Sequence, residues 1–302
     1  MEKSPWAPLG ALFLASLLWG GAVPALKAGV MVYHPIYILF GRLFIGSLCF
    51  ILVYKRIIRV RPRRADWPAL LAMVLCEPCL FSALEIWGIT KTTASQAGMI
   101  LSLFPLLVLI AARFFLQERI PGRAAAGFGL AVAGACWLST VGAASANAPS
   151  PIQGNALVAL SLVFAAACTI LFKKLAVRYP PLFLSALQAC GGALFFFPAL
   201  VLVPDVIPDR LDIRPLLTIL YLGAVTNFGA YSLYNFGISR IPAGRAAAFI
   251  NLIPVFSLVS CRLFLGEILE TSQYLASGVI LAGLLLSQGG PSRSKTTGET
   301  GG

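Results

Sequence analysis

Glu77 stands in the stretch Cys76-Glu77-Pro78-Cys79, inside a long apolar run. An ionisable side chain at the centre of a bilayer costs at least about 2.5–3.5 kcal/mol on insertion scales, so each one needs a reason. Four stand out within apolar runs: Lys27, Arg42, Glu77 and Glu85. At the rise of an α-helix Glu77 lies about 15 Å into its run, near the midplane. Pro78 removes one backbone hydrogen bond beside it. A desolvated carboxyl favours its neutral form, so Glu77 is a candidate for proton coupling or for receiving a solute's amine. A structural Glu bonded to a neighbouring helix is the alternative. Glu85 lies two turns further out, Lys27 ends the first apolar run, and Arg42 sits about 10 Å into the second. The three could hold a zwitterion or organic anion. They could also simply balance one another, with Lys27 reaching for the interface.

Polar and aromatic residues accompany these charges. Asn227, Tyr231, Tyr234 and Asn251 would form one wall of a cavity, and Trp19, Trp87 and Phe236 would add apolar surface. Such a lining suits a small amphipathic organic solute better than a bare inorganic ion. The substrate-binding candidates are therefore Trp19, Lys27, Arg42, Glu85, Asn227, Tyr234 and Asn251, with Glu77 as the proton-coupling candidate. Cys76 and Cys79 have the C-x-x-C spacing of a redox pair. In mid-bilayer they read as small apolar packing residues, and a membrane thiol redox enzyme stands as the alternative. His34 is the one histidine and makes no metal site. No P-loop, G-x-S-x-G or carboxylate pair with a nearby His is present, so no catalytic residues, cofactor or metal are expected.

These residues must be positioned by membrane-spanning helices. The 302 residues are 59% hydrophobic and 11% charged, where a soluble domain carries about 25% charge. The apolar runs are long enough to cross a hydrocarbon layer. Ten spans are predicted, at about 7–28, 35–54, 67–88, 92–112, 122–140, 154–173, 181–203, 215–238, 242–264 and 271–289. The first is read as a retained span, and the tail 290–302 as disordered. The net charge of +12 falls in the loops, where membrane orientation explains it without nucleic acid. With the N-terminus inside, the inner loops hold Lys55, Arg56, Arg59, Arg61, Arg63 and Arg64, then Arg113, Arg119 and Arg123, then Lys173, Lys174 and Arg178, then Arg240 and Arg245, against Lys91, Arg210, Arg214 and Arg262 in the outer loops. Asp205, Asp209, Asp212, Glu267 and Glu270 fall on the other side. The positive-inside rule then puts both termini in the cytoplasm, in a cell inner membrane.

A repeat organises the spans. RFFLQE at 113–118 returns as RLFLGE at 262–267, an offset of 262 − 113 = 149 residues. The same offset relates LEIWGIT (84–90) to LYNFGIS (233–239), and Pro105 to Pro254. Each half holds five spans, an odd number, so the second half enters the membrane inverted. The predicted fold is all-α and polytopic: ten transmembrane helices as two inverted five-helix repeats, 7–141 and 154–289, joined by the uncharged linker 142–153. Inverted repeats are the architecture of alternating-access transporters; a non-transporting scaffold is the alternative. Pro105 and Pro254 are candidate hinges. Small residues spaced by four, Ala125, Gly129 and Ala133 in the fifth span and Gly278 and Ala282 in the tenth, predict close helix packing within the chain or between subunits.

The order of these features resembles the drug/metabolite transporter superfamily, specifically the ten-span exporters with two EamA domains. The resemblance rests on Trp19-Gly20 followed by Lys27, on Arg42 in the second span, and on the duplicated Pro105/Glu118 and Pro254/Glu267 of the fourth and ninth. It also rests on the Gly-rich fifth and tenth spans, and covers about residues 8–290. It implies export of small metabolites, amino acids or drugs across the cytoplasmic membrane, and it favours Arg42 as important. Small multidrug resistance relatives carry their key Glu in the first span; this chain has none there, so that mechanism is not carried over. The expected partners are a small-molecule substrate and the lipid bilayer, and the expected state is a monomer or homodimer.

Overall fold

Ten apolar helices account for most of the described residues. They are α1 (Ala7–Val30), α2 (Pro35–Ile51), α3 (Arg64–Lys91), α4 (Ala94–Phe115), α5 (Gly122–Val141), α6 (Pro151–Leu175), α7 (Pro181–Leu202), α8 (Ile213–Tyr234), α9 (Ile253–Leu265) and α10 (Thr271–Ser287). The computed structural model describes residues 6–116, 122–141, 144–210, 212–238, 249 and 252–288. Gln117 and Glu118 of the first motif, Arg240, Arg245, Asn251 and the tail 290–302 lie outside the described residues. Seven helices are long and apolar enough to cross a membrane; α2, α9 and α10 are shorter.

The helices bend where the sequence removes hydrogen bonds. In α3 the residue before Pro78 leaves the helical region, with Glu77 at φ −145°, ψ 120°. A proline disfavours the helical conformation of the residue that precedes it. A turn at Ser102 and Leu103 comes just ahead of Pro105 in α4, and a turn at Leu252 just ahead of Pro254 in α9. The two breaks are one repeat apart. Cys261–Leu265 winds more loosely than an α-helix, and α9 ends at Gly266, whose φ of +66° is the left-handed conformation common at helix C-termini.

Packing obeys the repeat. Helix α3 lies on α6, and its counterpart α8 lies on α1; α4 meets α6 as α9 meets α1; α2 meets α8 as α7 meets α3. The equivalent pairs α2–α7 and α5–α10 pack on each other. Swapping the halves thus maps the contacts onto themselves, as a pseudo-twofold axis requires. Backbones touch in the α5–α10 pair: a Cβ on Gly283 would sit 2.6 Å from the Gly127 carbonyl oxygen. The small-residue stripe named above is not the contacting face, however. Ala125, Gly129, Ala133, Gly278 and Ala282 point outward, and Gly127, Ala131, Gly134 and Gly283 make the contact. Both spans carry small residues on two faces, so spacing by four did not distinguish them.

The connecting segments sort into two ends. At one, Ser150 N–H donates to the Lys91 carbonyl, Lys27 reaches Asn147, the Tyr33 hydroxyl accepts from Asp212 N–H, and Glu267 meets Ala94. At the other, Asp66 in the first turn of α3 binds Arg178 and Tyr179 after α6. Alternate loops therefore meet at the same end, as ten sequential crossings demand.

Candidate functional site

The break at Glu77 frees backbone groups inside a span, and neighbouring helices satisfy them. Gln188 of α7 donates from Nε2 to the Glu77 carbonyl at 2.9 Å and to Cys168 Sγ of α6 at 3.3 Å. A membrane offers no water for such a carbonyl, so an internal donor is needed. The Glu77 carboxylate has a partner on the second repeat. The Tyr231 hydroxyl of α8 donates to its Oε1 at 2.9 Å. Trp19 of α1 stands edge-on to Tyr231 with ring centroids 5.1 Å apart, and lies 5.2 Å from Tyr234. One carboxylate and three aromatic rings, drawn from α1, α3 and α8, thus converge across the two repeats. Glu77 is half-buried and Tyr231 is 36% exposed. A carboxylate edged by aromatic faces is suited to an organic ammonium, which ring quadrupoles also attract.

Two turns along α3, Glu85 Oε2 faces Arg42 Nη2 of α2 at 3.4 Å, and both side chains are about 10% exposed. This pair is long for a charge-assisted bond, and Arg42 Nε is buried without any partner. Asn227 of α8 donates from Nδ2 to the Arg42 carbonyl at 3.4 Å. Buried guanidinium donors are normally satisfied. Arg42 therefore keeps capacity to bind an acceptor beyond Glu85.

Lys27 is set apart. Its ammonium donates to the carbonyls of Ile89 at 2.8 Å, Thr92 at 2.7 Å and Asn147. Those three bonds use every proton it has, so none is left for a solute. They also place a cation at the C-terminus of α3, where the last carbonyls lack helical partners. The Lys27–Arg42–Glu85 trio predicted above is therefore divided into an ion pair and a helix cap. Among the other predicted residues, Trp87 stands edge-on to His34 with centroids 6.0 Å apart, away from Trp19 and Tyr231. Cys76 and Cys79 flank the break as free thiols. Asn251 lies outside the described residues.

Three polar contributors, Glu267, Asn155 and Gln188, are not among the predicted site residues. Glu267 accepts from Ala94 N–H at 3.0 Å and Ser95 N–H at 2.8 Å, so it caps the start of α4 with a carboxylate from the end of α9. Asn155 of α6 ties together Gln96 at 2.8 Å and Ser139 at 3.0 Å. Gln188 was silent because one Gln in a 22-residue apolar helix has no motif around it. The signal for Glu267 was present, since it ends the repeated RLFLGE motif.

Comparisons with known proteins agree with this architecture. The model of the EamA-like transporter family matches residues 6–140 and again 152–288. An uncharacterized transporter of Archaeoglobus fulgidus is 29% identical over 276 residues, covering 91% of this chain and 96% of that protein. A protein of Streptantibioticus cattleyicolor named "probable terminal-alkyne amino-acid exporter" is 23% identical over 291 residues, covering 95% and 93%. One solved crystal structure superposes with a TM-score of 0.65 at 18% identity, covering 94% of this chain and 97% of that one, and it shares the fold.

Proposed function

The chain belongs to the EamA-like transporter family and is a multi-pass membrane transporter; on that premise we propose that it exports a small organic solute by alternating access between its two repeats. One observation carries the reading: Glu77 of the first repeat and Tyr231 of the second share a hydrogen bond at 2.9 Å, beside Trp19, at a break in mid-span. A site whose two walls come from the two repeats changes its access when the repeats rock. An ammonium beside Glu77 and an anionic group within reach of Arg42 would together accommodate an amino-acid-like zwitterion. The name of the Streptantibioticus cattleyicolor relative favours that class. Glu77 would carry the coupling proton, released to one side and taken up from the other.

The loop charges support placing Lys55, Arg59, Arg61, Arg63 and Arg178 at the cytoplasmic end, with both termini there and the chain in the cell inner membrane. The end where Lys27 caps α3 and Glu267 caps α4 would then face outward. Repeats at 7–141 and 154–289 with a 142–153 linker are the units that would move, in a monomer or homodimer.

The test is growth protection followed by flux. Overexpressing cells are challenged with toxic amino acids and their analogues, and each protective compound is loaded into proteoliposomes. An inward-directed proton gradient is expected to accelerate efflux through the wild type. In Glu77→Gln the same gradient is expected to have no effect, with folding retained. Gradient-driven flux equal to that of the wild type would return Glu77 to a structural role.

A further inference from the structure

At the end where α3 begins and α6 finishes, two cavities adjoin. Arg61, Arg63, Arg178 and Tyr179 line the first. The second shares Arg178 and runs along Ala69 of α3 and Leu171, Leu175 and Val177 of α6 and its end, with Asp66 and Lys174 also in its wall. The first is basic and the second mainly apolar, and Arg178 is their common wall. We propose that together they bind one anionic phospholipid, phosphate in the arginine cavity and an acyl chain along the apolar one.

The charge balance favours an anion. Asp66 is the acid at this place, and it is already committed: it accepts from Arg178 Nη1 at 2.8 Å and from the Tyr179 hydroxyl at 2.7 Å. Among the described residues the side chains of Arg61 and Arg63 have no partner. The loop holding them is fixed nevertheless, because Arg63 N–H donates to the Tyr179 hydroxyl at 3.0 Å. A partly neutralised Arg178 and two further arginines thus line one cavity, and guanidinium groups match phosphate oxygens in a bidentate way.

The position favours a lipid over a free anion. The cavities lie where helices leave the apolar layer, the depth at which phospholipid phosphates sit. Trp67, next to Asp66 in the first turn of α3, is 41% exposed, as an interfacial anchor should be. Basic pockets between membrane helices recognise anionic headgroups through this chemistry. The site lies at one end of the chain, apart from Glu77, and does not depend on which solute is carried.

The test is native mass spectrometry on the full chain in detergent, with dioleoyl phosphatidylglycerol and dioleoyl phosphatidylcholine added in equal amounts. The wild type is expected to retain phosphatidylglycerol preferentially. Arg61→Gln with Arg63→Gln is expected to lose roughly thirty-fold in that retention, two cationic contacts' worth. Both side chains are exposed, and the backbone bond to Tyr179 survives the change. Each single variant should lose part of the effect. Arg210→Gln with Arg214→Gln, at the opposite end, should lose none. Equal retention of the two lipids, or undiminished phosphatidylglycerol in the double variant, would overturn the proposal. Displacement of the lipid by inorganic phosphate at equal concentration would also overturn it, since the cavity would then be a free-anion site.

Discussion

Glu85 and Arg42 form a buried pair whose two members cannot be removed singly without consequence. Cutting one partner leaves the other charge in hydrocarbon, so Glu85→Ala is expected to cost about 3–5 kcal/mol and to lower the thermal midpoint in detergent. Replacing both together, as Arg42→Met with Glu85→Leu, should restore most of that stability, because a matched apolar pair carries no desolvation cost. Stability and transport are then expected to separate: the double variant folds and does not transport. The ground for that expectation is Arg42 Nε, which is buried and unpartnered and so has a bond to offer beyond Glu85. Transport at the wild-type rate in the folded double variant would show that the pair only keeps two charges tolerable.

Helix breaks are the element-scale feature that ties stability to movement. In α4 and α9 a turn precedes Pro105 and Pro254, at equivalent places in the two repeats. A proline lacks the amide needed to close the turn before it, so the two segments can change their angle at little cost. If these are paired hinges, they act at opposite ends. Pro105→Ala is expected to alter mainly access from the cytoplasm, and Pro254→Ala mainly access from outside, each with near-normal expression. Labelling of engineered cysteines from the two sides measures this, and a change on the same side for both variants would reduce the prolines to packing features. Such breaks were legible in the sequence because a proline acts on its own chain neighbours. The α5–α10 contact was legible as a pairing but not as a face, since Gly127 and Gly129 differ only in what lies opposite. Lys27 was least legible of all: its partners are carbonyls of Ile89, Thr92 and Asn147, which any residue would supply equally well.

The whole molecule is governed by its repeat and its loop charges. Run length and the 149-residue register disclose ten spans and two halves, because the hydrocarbon layer sets helix length and an odd count inverts the second half. Contacts between halves, such as Glu77 with Tyr231, depend on how the halves interlock, which no local pattern encodes. Orientation depends on charge alone. Arg61 and Arg63 share an end with Arg178, and the linker around Asn147 shares the opposite end with Lys27. If the basic end is cytoplasmic, a single cysteine at Asn147, whose side chain is exposed, should react with an impermeant maleimide added outside intact cells. A cysteine replacing Val60 should react only after the membrane is opened. Both require a background in which the seven native cysteines are replaced. The two sites must differ, because three crossings, α3, α4 and α5, separate residue 60 from the linker. Labelling of both from the same side would break the odd count, and with it the inversion that alternating access requires.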